Sequence, residues 1–195
     1  MKLMIGLGNP GNKYKNNRHN AGQMFVDYLV NSYQLLDVRR KIEFKSDKYL
    51  LSQISEILPN NQYPITNNLL LAKPIVFMNK SGLAVKKLVQ KYLPNNQYQI
   101  TNNLIIIHDD LDIPFCKFRI VKGYGPKQHN GIESIENKLQ TKDFLRVRIG
   151  VDNRSMESRI PGIDYVLQDF DATEKETLIH TFSSIKSLLE AEKYI

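Results

Sequence analysis

Short, wholly apolar runs recur along this chain, each followed by a polar cluster or a segment with helical spacing. This alternation leaves few folds open. Leu3-Met4-Ile5, the run at 69–72 and the run at 104–107 contain no polar residue. Strands apolar on both faces belong to a sheet that is covered on both sides, which is the usual setting of parallel strands. Between them, Phe25, Leu29 and Tyr33 recur at helical spacing and mark a helix over 21–36. A second helix is expected over 81–93, with Ser81 as its cap, Leu83, Leu88 and Val89 inward, and Lys86, Lys87 and Lys91 outward. Further strands are expected over 2–7, 48–58, 117–121 and 144–151, and further helices over 132–139 and from 173 to the end. The expected fold class is α/β. Residues 1–195 form a single domain with a twisted, mixed and mostly parallel central sheet, flanked by helices on both faces.

Composition narrows the function classes. At 42% hydrophobic and 24% charged, the chain has the balance of a globular protein with a real core. No apolar run is long enough to span a bilayer, and the first residues lack a charged-then-apolar leader pattern, so the expected location is cytoplasmic. The one cysteine, Cys116, excludes an internal disulfide and a cysteine-based zinc site. A formal net charge of +7 favours a polyanionic partner, although the abundance of Asn and Lys gives part of that basicity a compositional origin. The near-repeats NNQYPITNNL at 60–69 and NNQYQITNNL at 95–104 read as Asn-rich surface loops, each leading into a strand.

Gly6-Leu7-Gly8-Asn9-Pro10-Gly11 is a literal G-x-G-x-x-G after a strand. A dinucleotide site needs a helix to begin inside that motif, so that its N-terminus faces the pyrophosphate. Pro10 removes a backbone N–H and restrains Asn9 away from helical angles, and the polar run to Asn20 has no apolar period. The ribose-binding acid is missing as well, since Asp27 falls inside the first helix.

Functional groups in α/β sheets gather beyond the carboxyl ends of strands. Here the strand ends are followed by Asn9 with His19 and Asn20, by Phe77-Met78-Asn79, and by His108-Asp109-Asp110-Leu111-Asp112. His129-Asn130-Gly131 opens a later helix. Imidazoles, carboxylates and amides without a serine or cysteine nucleophile motif suit hydrolysis by activated water: a histidine base, a carboxylate to fix its tautomer, and amides for a developing oxyanion. Each piece also has a plainer reading. His19 suits a surface loop, the aspartates suit a solvated turn or a divalent-metal site for phosphodiester cleavage, and His129 suits a helix cap.

GLGNPG-x-x-Y-x-x-x-R-H-N-A-G over 6–22, FMNKSG over 77–82, HDDLD over 108–112, HNG over 129–131 and RVRIG over 146–150 together resemble bacterial peptidyl-tRNA hydrolases. The resemblance implies cleavage of the ester between a peptide and the terminal ribose of tRNA, with no metal and no organic cofactor. It implies His19 as the water-activating base and Asp109 as the aspartate that holds it. It implies that Asn9 helps tell a peptide's amide from a free amino group, and that Asn79 and Asn130 position substrate. Tyr14 and Phe77 match groove residues, and Met78, Asn20 and His129 fall among the substrate-binding positions. Lys117, Arg119 and Arg148 match basic positions expected to contact tRNA phosphate. The expected partner is peptidyl-tRNA alone, bound by a cytoplasmic monomer with no membrane and no obligate protein partner. Two other functions stay open: a non-catalytic RNA-binding protein on the same scaffold, and a metal-dependent phosphodiesterase built on the acidic run. The chain departs from the family pattern at Lys127-Gln128, where a glycine pair is usual, in a longer Asn-rich loop before Leu69, and in a shorter C-terminal helix.

Overall fold

The computed structural model describes all of the chain except residues 38–40, 60–64, 66, 95, 96 and 156. Its centre is a seven-stranded sheet in the order β2-β3-β4-β1-β5-β7-β6. The strands are β1 (Lys2–Gly6), β2 (Lys45–Asp47), β3 (Ser52–Ile57), β4 (Leu69–Pro74), β5 (Leu104–Pro114), β6 (Phe118–Lys122) and β7 (Leu145–Asp152). The apolar runs occupy the middle: β1 pairs in parallel with β4 and β5, and β5 in parallel with β7. The antiparallel pairings, β2 with β3, β3 with β4 and β6 with β7, lie toward the edges. This is the mixed α/β sheet expected from the sequence.

Alternation along β1 shows how the sheet is covered. Met4 packs into a core with α1 (Ala21–Leu36) and α6 (Ala172–Ala191), while Leu3 and Ile5 pack into a second core with α2 (Ser81–Tyr92) and α4 (Asn130–Leu139). Each fully buried aliphatic side chain of this kind contributes roughly 1.5–3 kcal/mol of transfer free energy. The start of α1 presses directly on the sheet, because a Cβ on Gly22 would collide with the backbone oxygen of Ile107 and with Leu7. Among the described residues no helix is long and apolar enough to cross a membrane.

Several expectations change. The strand expected over 48–58 begins only at Ser52, because residues 48–51 form the turn that joins it to β2, with Leu51 at φ 53°. HDDLD lies inside β5 rather than after it, with a register shift between Asp110 and Pro114. The second Asn-rich repeat forms a short helix, α3 (Gln97–Asn103). Most of the first repeat, including the longer loop noted there, lies outside the described residues. Ser81 is not a cap: Lys80 precedes α2, and the buried Ser81 hydroxyl contacts Met78 Sδ at 3.9 Å. Leu83 is exposed rather than inward. The last helix ends at Ala191, and Ile195 turns back into the core. A short helix, α5 (Gly162–Tyr165), was not expected.

Candidate active site

The segment after β1 stays non-helical until Arg18–Asn20 form a single 3-10 turn ahead of α1. What holds this polar turn inside the protein is a latch to the chain around 165–174. Arg18 places both Nη2 contacts on the Glu174 carboxylate at 2.7 and 2.8 Å, donates Nη1–H to the Asp169 carbonyl at 2.7 Å, and stacks on Tyr165 and Phe170. The backbone N–H groups of Arg18 and His19 donate to the carbonyls of Gln168 and Val166. Glu174 is itself fixed by the capping box it forms with Asp171 at the start of α6. The latch leaves His19 beyond the carboxyl end of β1, where active sites of such sheets gather, and beside Asp109 midway along β5.

His19 Nδ1 lies 3.0 and 2.9 Å from the two Asp109 oxygens. Asp109 is buried, and ionised it can only accept, so Nδ1 carries the proton and the lone pair falls on Nε2. No hydrogen bond within the described protein engages that nitrogen, and His19 lines a cavity of about 860 Å³. Burial of the ring lowers its basicity, but the Asp109 charge and hydrogen bond outweigh it, so the His19 pKa is raised above the usual histidine value. Burial would likewise raise the pKa of Asp109. The imidazoles of His19 and His129, by charge and hydrogen bond, instead hold it well below the usual carboxylate range.

Asn9 enters the same cavity with its amide orientation fixed. Its Oδ1 accepts from the Met78 N–H at 2.9 Å, and its backbone N–H and carbonyl pair with Oδ1 and Nδ2 of Asn20, both at 2.9 Å. With Oδ1 committed to a donor, the Nδ2 donors are what Asn9 turns to the cavity. Gly8 makes room for this arrangement, since a Cβ there would strike the Asn20 amide. Phe77, Met78, Asn79 and Asn130 line the cavity, with the Asn79 and Asn130 amides exposed. Tyr14 packs edge-on against Phe77, ring centroids 6.2 Å apart.

Several of the expected site residues are engaged with other groups of the protein. Asn20 is buried, with Oδ1 and Nδ2 each bonded to the Asn9 backbone, so it shapes Asn9. His129 has both ring nitrogens engaged, Nδ1 by the N–H groups of Gly131 and Ile132 and Nε2 by Asp109. Arg148 is buried, with Nε on Asp110 Oδ2 at 2.6 Å, its guanidinium 4.0 Å from Asp112 and Tyr124 over it, so its charge is already answered inside the protein. Neighbouring Arg146 is buried on Glu136, the Lys142 carbonyl and the Gly125 carbonyl. Lys117 and Arg119 are exposed, Arg119 on the edge strand β6.

Among the described residues, His19, Asp109 and His129 bring one potential ligand atom each within 4.8 Å of one another. Their donor chemistry does not suit a cation. Two backbone N–H groups point at His129 Nδ1, which forces its proton onto Nε2, and the His19 proton sits on Nδ1 toward the same carboxylate. Both nitrogens that would bind a metal therefore carry protons. Asp110 and Asp112 are no freer: Asp110 holds Arg148 and the Asp112 N–H, and Asp112 accepts the Lys127 N–H at 2.9 Å.

Sequence reasoning missed one wall of the cavity. Ile163, Val166 and Leu167 line it, and Ile163 and Leu167 are exposed apolar residues. Their i, i+3, i+4 spacing was the available signal. Leu111, Lys80 and Gln128 also line it, Gln128 belonging to the pair that departs from the family pattern.

Comparison with known proteins gives the family of the chain. The peptidyl-tRNA hydrolase family model matches residues 3–193. A peptidyl-tRNA hydrolase of Mycoplasma mycoides is 40% identical over 182 residues, covering 93% of this chain and 87% of the relative. One from Paenarthrobacter aurescens is 40% identical over 176 residues, 90% of this chain and 81% of the relative. The crystal structure of peptidyl-tRNA hydrolase from Acinetobacter baumannii superposes with a TM-score of 0.76 at 28% identity, covering 98% of this chain and 90% of that one.

Proposed function

Because the chain belongs to the peptidyl-tRNA hydrolase family, we propose that its cavity hydrolyses the ester between peptide and tRNA with water activated by His19. The observation that carries this reading is the unpaired Nε2 of His19 facing the cavity while Asp109 holds Nδ1. Water bound at Nε2 gives up a proton as its oxygen attacks the ester carbonyl. Asp109 keeps the tautomer and stabilises the imidazolium that forms. The carbonyl–oxygen bond to the ribose then breaks, and the imidazolium returns the proton to the departing ribose oxygen. A peptide acid and a tRNA hydroxyl result.

Asn9 serves as the test for a peptide. Its Nδ2 donors suit a peptide carbonyl, whereas the free α-ammonium of an aminoacyl-tRNA brings only donors to that position and leaves both sides unpaired. Asn79 and Asn130 supply further amides for orienting the ester, Phe77 and Tyr14 frame the groove, and Met78 fixes Asn9 through its backbone. Lys117 and Arg119 contact RNA phosphate, independently of sequence, as an enzyme accepting many tRNAs requires. The reaction as drawn uses no metal and no organic cofactor. Residues 1–195 act as a single domain, a cytoplasmic monomer with no obligate protein partner. The competing functions lose their footing: the acidic run is consumed by cations and imidazoles, and a base already paired with its carboxylate is superfluous in a protein that only binds RNA.

The test is release of amino acid from N-acetyl-aminoacyl-tRNA and from the same aminoacyl-tRNA unblocked. Rapid cleavage of the blocked substrate alone is expected. Cleavage of neither, with salt-sensitive RNA binding intact, would overturn the assignment.

A further inference from the structure

We propose that His129 is a positioning residue of the hydrolytic pair: it pins the Asp109 carboxylate toward His19 and ties it to the start of α4, without holding substrate. The proposal rests on the reading of His19 as the base.

The geometry of His129 is over-determined. It is the N-cap of α4 in extended backbone conformation, and its Nδ1 accepts the N–H groups of Gly131 at 3.0 Å and Ile132 at 3.3 Å. These donors leave the ring proton on Nε2, which donates to Asp109 Oδ1 at 3.0 Å. The side chain is 3% exposed. Its ring lies between two other imidazoles, with centroids 4.9 Å from His19 and 4.9 Å from His108. His108 adds a hold of its own, Nδ1–H donating to the Asp109 carbonyl at 2.7 Å. Gly131 lets the helix begin this close, because a Cβ there would press on Met78 Sδ and on His129 Cε1.

Asp109 gains two things. A carboxylate with one partner can turn about its Cβ–Cγ bond, whereas here Oδ1 is shared between His19 and His129, which fixes the plane presented to His19 Nδ1. The His129 N–H also draws charge from Asp109, so it restrains the rise in His19 basicity that Asp109 causes. The other charged or titratable groups nearby are His108, Arg146 beyond it on β7, and Arg18, whose charge is answered by Glu174 of α6. None of these donates a hydrogen bond to the Asp109 carboxylate.

Two variants separate the ring's functions. His129→Asn keeps a good helix cap but is too short to reach Asp109. His129→Gln has the length to place an N–H at the carboxylate. The readouts are the steady-state pH profile on N-acetyl-aminoacyl-tRNA and an NMR titration of the His19 ring. For His129→Asn the expected results are a His19 titration and acid limb displaced upward by about half to one pH unit, kcat reduced about tenfold, and KM unchanged. His129→Gln should recover most of the wild-type profile. A raised KM with an unmoved His19 titration would overturn the proposal in favour of substrate contact, and an unmoved titration with normal kinetics would overturn it outright. If the His19 titration moves but wild-type activity has no acid limb, the base assignment fails and not the His129 contact.

Discussion

Asp109 and Asp110 are neighbours in one strand, equally buried, yet they do different work. Strand alternation sends them to opposite faces of the sheet. Asp110 meets Arg148 and closes a static cluster with the Asp112 backbone, each charge answered. Asp109 meets two imidazoles, and through His19 its hydrogen-bond chain ends at a nitrogen with a free lone pair in a cavity. The closed cluster is scaffolding, and the open-ended one can pass a proton. Both carboxylates are buried and hydrogen-bonded. What distinguishes the chemical site is an atom left unsatisfied where substrate can reach it.

That contrast can be broken. Asp109→Asn should lower kcat by about 10²–10⁴-fold with little change in stability of the fold, because the amide either donates to His19 Nδ1 and forces its proton onto Nε2, or holds the tautomer without stabilising the imidazolium. Steady-state kinetics beside thermal unfolding would show it. Asp110→Asn should do the reverse. It leaves the buried Arg148 guanidinium with only the Asp112 carboxylate, 4.0 Å away, as a counter-charge, a loss of up to about 3–5 kcal/mol by denaturant unfolding, while turnover per folded molecule changes by less than about tenfold. Equal kinetic losses in the two variants would erase the distinction. The smallest effects belong to the surface: Lys117→Ala and Arg119→Ala should each raise KM a few-fold and flatten the salt dependence of RNA binding by about 0.7–0.9 per lost phosphate contact. Arg148→Lys should leave that slope unchanged, which distinguishes a buried guanidinium from a phosphate ligand.

The two clusters also differ in how far the sequence reveals them. The apolar runs at 3–5, 69–72 and 104–107 announce a covered sheet, and Pro10 is enough to reject a dinucleotide turn, because both signals act locally through burial and backbone geometry. His19, Asn9 and Asp109 are marked by their motifs. The Asp110–Arg148 pair is not, since a run of acids has the composition of a solvated turn. Only the cross-strand neighbour keeps HDDLD inside β5, and that partner lies far away in sequence. Arg148 misleads for the same reason, reading as a surface cation until Asp110 is found beneath it. Asn20 and His129 are marked by their motifs as well, but their bonds to Asn9 and Asp109 are visible only in the fold. The apolar wall at 163–167 carried a helical signal too short to separate from a loop.

The pH dependence of kcat/KM on N-acetyl-aminoacyl-tRNA, measured for wild type and His19→Ala with a chelator present, tests the central claim most directly. Asp109 raises the His19 pKa, so the base is protonated and idle at low pH, and activity must rise through a midpoint above about 6.5. The account predicts that limb in the wild type, unaffected by the chelator, and for His19→Ala a loss of about 10²–10⁴-fold with the limb gone. Wild-type turnover by His19→Ala, or activity that the chelator abolishes and added magnesium restores, would contradict it.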